Sequence, residues 1–209
     1  DQYAALVPVR ERVSGPEHPD TLAARGSLAR WTGETGDKAA ARDQFAALVP
    51  VRERVSGLEH PDTLDARNDL AFWTGRAGDA AAARDQFAAL VPVTERVSGP
   101  EHRMTLGVRH NLARWTGEAG DVAAARTLYA ALMPVRERVS GPEHPDTLTT
   151  RANLAYFTGA AGDAAAARDQ YAALVPVRER VSGPEHPDTL AARANLAHWA
   201  RRAEGIGVR

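Results

Sequence analysis

The sequence predicts an all-α solenoid of stacked helix-turn-helix repeats, and three observations carry that prediction. The first is repetition: the 42-residue block Asp1–Arg42 recurs at 43–84, 85–126 and 127–168, and in decaying form at 169–209, with no insertion. The first two copies differ at nine positions. Near-identical copies this short cannot each bury a private core, so each must cover its neighbour's apolar face. The second is periodicity: apolar residues recur at helical spacing, with glycine and proline between the runs. The third is that no alternating strand pattern and no Asn-Gly hairpin signal occurs in the sequence. About ten helices are expected.

The elements follow in chain order. Residues 1–18 form a leading partial repeat, a long helix without the capping aspartate and first turn of its later copies; this phase predicts an array cut from a longer one. Complete repeats are expected at 19–60, 61–102, 103–144 and 145–186, and 187–209 is a trailing short helix with a divergent tail. In the repeat at 19–60, Asp20 and Thr21 are N-cap types directly after a proline. Leu22, Leu28 and Trp31 anchor the first helix, and Gly33 and Gly36 read as its stop, since glycine accepts left-handed geometry. Asp37 caps a longer helix whose apolar residues Ala41, Phe45, Leu48, Val49, Val51 and Val55 fall at helical spacing. Gly57 ends it. The repeat at 103–144 has Arg103-Met104 where the others have Pro-Asp, so its cap is expected to rely on Thr105 alone. Each long helix contains a proline, at Pro8, Pro50, Pro92, Pro134 and Pro176, which predicts either a kink or a break into two shorter helices.

Composition narrows the function. Lys and Arg number 26 against 27 Asp and Glu, a formal net charge of −1, so the basic excess typical of nucleic-acid binding is missing. The chain has no cysteine, which removes disulfides, thiolate metal sites and a cysteine nucleophile. No run of 18 apolar residues and no secretory-type leader is visible, so no membrane contact and a cytoplasmic location are expected. Five of the seven histidines, His18, His60, His102, His144 and His186, are one linker position repeated, where capping and linker packing explain them better than a metal does. No phosphate-binding loop, nucleophile elbow or zinc-protease motif occurs. No cofactor and no enzymatic activity are expected. Arg25, Arg67, Arg109, Arg151 and Arg193 do not vary and read as structural ion-pair or stacking residues.

Comparison of the copies isolates a variable stripe. Ala23, Asp65, Gly107, Thr149 and Ala191 share one position in the short helix. Three residues on stand Gly26, Asn68, His110, Ala152 and Ala194, followed directly by Ser27, Asp69, Asn111, Asn153 and Asn195. Then come Arg30, Phe72, Arg114, Tyr156 and His198, and four residues later Glu34, Arg76, Glu118, Ala160 and Arg202. This i, i+3, i+4, i+7, i+11 spacing is one face of a helix. Two explanations stand: a solvated face drifting after duplication, or a recognition face. Exposed aromatics beside Arg and His, types enriched at binding hot spots, favour the second.

The run Ser27-Leu28-Ala29-Arg30-Trp31-Thr32-Gly33-Glu34-Thr35-Gly36-Asp37, followed by Ala41, Phe45 and Leu48, resembles the tetratricopeptide repeat. The usual repeat has about 34 residues, and the longer form here resembles that of kinesin light chain and of actinobacterial repeat proteins. The resemblance implies a right-handed superhelix whose concave face is lined by the shorter helices and holds extended peptides or protein segments. It also implies that Asn111, Asn153 and Asn195 clasp a peptide backbone as a ladder, with Asp69 and Ser27 as weaker counterparts, since an amide offers both donor and acceptor. Arg30, Arg114, His110 and His198 would then meet acidic groups, Phe72 and Tyr156 would supply apolar pockets, and Asn68 lies on the same face. The expected partner is a protein or peptide bound at micromolar affinity, about −8 kcal/mol. Head-to-tail self-association through the open ends, and a sensor role within a larger regulatory ATPase, are the alternative readings.

Overall fold

The computed structural model describes residues 2–205. Among these residues there are ten helices and no strand: α1 (Gln2–Ser14), α2 (Pro19–Glu34), α3 (Lys38–Ser56), α4 (Pro61–Arg76), α5 (Ala80–Ser98), α6 (Arg103–Glu118), α7 (Val122–Ser140), α8 (Pro145–Ala160), α9 (Ala164–Ser182) and α10 (Pro187–Ala203). Short and long helices alternate as in an α-solenoid. The chain divides into two compact parts, Asp1–Leu112 and Ala113–Arg209, with the division inside α6.

The turn between a short helix and the following long one is set by two residues. Gly36 takes a positive φ of 122°, and Asp37 then accepts a hydrogen bond from the Ala40 N–H at 3.0 Å. Asp79, Asp121 and Asp163 cap α5, α7 and α9 in the same way.

The short helices begin differently from the sequence reading. The cap of α2 is His18, not Asp20 or Thr21: its backbone is extended, Pro19 opens the helix, and its Nδ1 accepts from the Asp20 N–H at 3.2 Å. His60, His144 and His186 repeat this arrangement. In the third repeat His102 Nδ1 accepts from the Met104 N–H at 3.3 Å, so that helix does not depend on Thr105 alone. The aspartate serves instead as an ion-pair partner. Asp20, Asp62, Asp146 and Asp188 bind Arg10, Arg52, Arg136 and Arg178 at 2.9, 2.8, 3.1 and 2.6 Å. The threonine is buried, and Thr105 donates to the carbonyls of Thr94 and Gly99.

The prolines do not break the long helices. α3 runs unbroken from Lys38 to Ser56 with Pro50 inside it. Pro50 and Ala46, whose carbonyl the proline cannot serve, are both exposed, so water can take the freed acceptor. The same holds for Pro134 with Ala130 and for Pro176 with Ala172. In α5, Ala88 is exposed and Pro92 is exposed with it.

In the first part the core gathers Leu22, Ala29, Ala41, Phe45, Leu48 and Trp73. In the second, one cluster holds Ala113, Ala125, Tyr129 and Phe157, and another holds Leu148, Ala155, Ala167, Tyr171, Leu174, Val175, Ala192 and Trp199. Val55, expected in the apolar stripe of α3, is exposed instead. Gly33 is also not a helix stop. It lies inside α2, and the Trp73 ring packs where its Cβ would stand. Gly117 receives Phe157 and Gly159 receives Trp199 in the same way; a Cβ on Gly159 would lie 2.6 Å from Trp199 Cε3. The glycine is therefore required by an aromatic ring of the next repeat rather than by backbone conformation.

Candidate functional site

The variable stripe is the candidate site, and the helix caps and aromatic sockets fix which way it faces. Where the stacking face of α8 carries Ala155, Phe157 and Gly159 into the core, Asn153 is half-buried and Tyr156 exposed.

In the first part, Arg30 on α2 and Asp69 on α4 bind each other, with Nη2 and Nε of the arginine at 2.6 and 2.8 Å from Asp69 Oδ2. Burial pushes the Asp69 carboxyl above its ordinary value, and the Arg30 guanidinium offsets this only in part. The two residues expected to meet a ligand separately thus form one pair. It lines a cavity of about 190 Å³ between α2 and α4, together with Gly26, Arg52, Asp62 and Asp65. Phe72 is half-buried and stands edge-on to Trp73 at 5.2 Å. Asn68 and Asn111, both half-buried, line a second cavity of about 360 Å³ between α4 and the start of α6. His110 is half-buried on α6.

In the second part, the Arg114 guanidinium lies 5.0 Å above the Trp115 ring, a cation–π contact. Asn153 donates from Nδ2 to the Tyr129 hydroxyl at 3.2 Å. Burial raises the Tyr129 phenol well above its ordinary range, so it stays protonated. Asn195 donates to the Ala191 carbonyl at 3.0 Å and is half-buried. Tyr156 is 46% exposed, with its ring edge-on to Phe157 at 5.2 Å and to Trp199 at 6.1 Å. His198 is edge-on to Trp199 at 4.7 Å. Tyr156 and His198 therefore sit on the same buried indole.

This face offers amides, an aromatic surface and paired charges, which suit noncovalent recognition. Among the described residues, no group of three or more His, Asp or Glu could hold a metal ion. Sequence reasoning places Asp65 and Gly107 on the variable stripe without a ligand role and leaves Met104 outside it, yet the three complete the cavity between α4 and α6. A signal for them is present: the third copy departs from the others at Thr94 and at Arg103-Met104.

The comparisons with known proteins agree with this architecture. Models of the tetratricopeptide repeat match residues 21–62, 63–103 and 105–172, which together span most of the chain. Two crystal structures of a candidate kinesin light chain from Podosopora anserina with nearly identical TPR-like repeats are similar at 26% identity. One, a point variant of that protein, has a TM-score of 0.77 over 90% of this chain and 88% of that one. The other has 0.76 over 90% and 89%. BtubC (BKLC) from P. vanneervenii has the same fold at 16% identity, with a TM-score of 0.79 over 98% of this chain and 82% of its own. No curated protein matches.

Proposed function

We infer the function from one premise: the chain belongs to the tetratricopeptide-repeat family, whose members are generally non-catalytic scaffolds for protein–protein interaction. On that premise it is an interaction module that binds an extended peptide or protein segment along the variable faces of its short helices. The observation that carries the reading is Tyr156, an exposed aromatic packed edge-on against Phe157 and Trp199, on the helix face that carries Asn153. An aromatic packed against its neighbours, with an amide on the same face, supplies contact area at low entropic cost and a group that binds a peptide backbone. Asn111, Asn153 and Asn195 serve as backbone clasps, and Phe72, Tyr156 and His198 give side-chain selectivity. The Arg30–Asp69 pair meets the ligand as one dipolar unit. A cytoplasmic location belongs to the same proposal and is tested by cell fractionation.

The test is a peptide-library screen of the parent protein beside an Asn111/Asn153/Asn195→Ala variant with unchanged helical circular dichroism. Peptides held by the parent and lost from the variant support the reading. Equal binding by both, or no binding by the parent, overturns it.

A second reading is self-association. Tyr3 and Leu6 on α1 and Leu190 on α10 are exposed, whereas their counterparts Phe45, Leu48 and Leu148 are buried. Against it, Arg201 occupies the position at which Gly33, Gly117 and Gly159 receive the next repeat's aromatic ring. Sedimentation mass that rises with concentration would favour self-association.

A further inference from the structure

We propose that the cavity between α4 and the start of α6 receives a basic side chain of the bound segment, in place of an arginine that this repeat lacks. The proposal deepens the reading above and rests on it for the docking of that segment.

Four matching ion pairs recur along the chain. Arg10, Arg52, Arg136 and Arg178 each bind the aspartate that begins the next short helix. Arg52, Arg136 and Arg178 are buried. A buried guanidinium without its carboxylate is strongly destabilising, so the aspartate can be lost only where the arginine is lost too. The remaining copy has lost both: Thr94 stands for the arginine and Met104 for the aspartate. Thr94 turns its hydroxyl back onto its own helix, donating to the Val91 carbonyl at 3.0 Å.

The space left is larger and differently lined. The cavity measures about 360 Å³, against about 190 Å³ for the one between α2 and α4 that Arg52 and Asp62 help to line. At Gly107 nothing lies within 4 Å of where a Cβ would be. Asp65, Asn68 and Asn111 bring a carboxylate and two side-chain amides to the wall, and Met104 brings a thioether suited to the methylenes of a long side chain.

The position of Asp65 identifies the guest. Its counterpart on α8 is Thr149, whose hydroxyl oxygen accepts from Arg178 Nη2 at 3.3 Å. This register position therefore faces a guanidinium in the copy that keeps its arginine. At Asp65 the acceptor is a carboxylate, a stronger partner for a cation, and among the described residues no cation lies within ion-pair distance of it. Among the described residues, Arg103 is the one arginine or lysine on the cavity lining. It opposes a basic guest, and its removal tells a cation site from an anion site.

The experiment titrates the protein with N-acetyl-arginine N-methylamide and follows the Asn68 and Asn111 side-chain amides by NMR. Saturable shifts are expected, about tenfold weaker with the neutral citrulline analogue. They should vanish in Asp65→Asn and in Thr94→Arg/Met104→Asp, which rebuilds the internal pair, and should tighten several-fold in Arg103→Ala. No saturable shift, equal response to citrulline, or a response to N-acetyl-glutamate instead would overturn the proposal. The probe reads the cavity without a docked segment. A failed titration beside a successful peptide screen would therefore remove the basic-side-chain site and leave the docking reading standing, and the reverse outcome would remove the docking reading alone.

Discussion

On α8 the stacking face and the variable face are only a few residues apart, yet the copies treat them differently. Phe157 packs into Gly117, and Gly159 receives Trp199, at positions held by an aromatic ring and by glycine in four successive repeats. One residue before each ring, the variable position passes through Arg30, Phe72, Arg114 and Tyr156. The first face is fixed because ring and glycine must match across two copies of the repeat. The second is freer because its contacts with other copies, such as Arg30 with Asp69 and Tyr156 with Trp199, are not the same from one copy to the next. A single helix thereby separates what holds the array together from what it can recognise.

Four substitutions would sharpen or break that comparison, in order of falling effect. Phe157→Ala empties a socket, and a loss of about 3–5 kcal/mol in chemical denaturation is expected; a loss near zero would mean the stacking face is not what it is taken to be. Gly159→Ala adds a single methyl 2.6 Å from the Trp199 ring and should destabilise by about 1–3 kcal/mol through overpacking, despite alanine's better helix propensity. Gly107→Ala adds the same methyl on the variable face, where no atom is near, and should raise stability by about 0.5–1 kcal/mol. The two alanines should thus act with opposite sign, and thermal melts of both decide it.

Asp69→Asn should change least, within about 1 kcal/mol. Because burial raises the Asp69 pKa, protonation favours the fold. The stability this carboxyl contributes is present below its unfolded pKa and is lost as pH rises through the raised folded value. The asparagine variant should therefore be flatter with pH across that window and no less stable than the parent at neutral pH. A less stable variant at neutral pH would show that the Arg30 pair outweighs the burial.

What could be read from the sequence was what one copy settles by itself. Helical spacing, the glycine–aspartate turn at Gly36-Asp37 and the order of long and short helices depend on neighbours along the chain. The roles of Gly33 and of the linker aspartate depend on the next copy: Trp73 lies 40 residues beyond Gly33, and Asp62 answers to Arg52 across a turn. Glycine at a helix end has a local explanation that was ready to hand, and an aspartate after proline has another. The linker histidines read as capping and packing residues, but Asp20 and Thr21 read as the cap itself, because a ring nitrogen is a rarer cap acceptor than a carboxylate or hydroxyl. The stripe itself was legible, but the mutual pairing of Arg30 and Asp69 required coordinates, since the repeats give no sign that two variable positions meet.

The internal prolines bear on a hazard of tandem copies. The segment Ala46-Ala47-Leu48-Val49-Pro50-Val51 recurs almost unchanged five times, and uncharged apolar windows repeated in register are the material of cross-β aggregation. During synthesis, before neighbouring helices exist to cover them, identical windows from different copies or chains could pair as strands. Proline cannot donate to such a ladder. In the native helix its ring and the carbonyl it leaves unserved sit on the wetted side, where the penalty is small. The residue that breaks the helix rule in every copy thus lies where it harms the fold least and obstructs the misfolded sheet most.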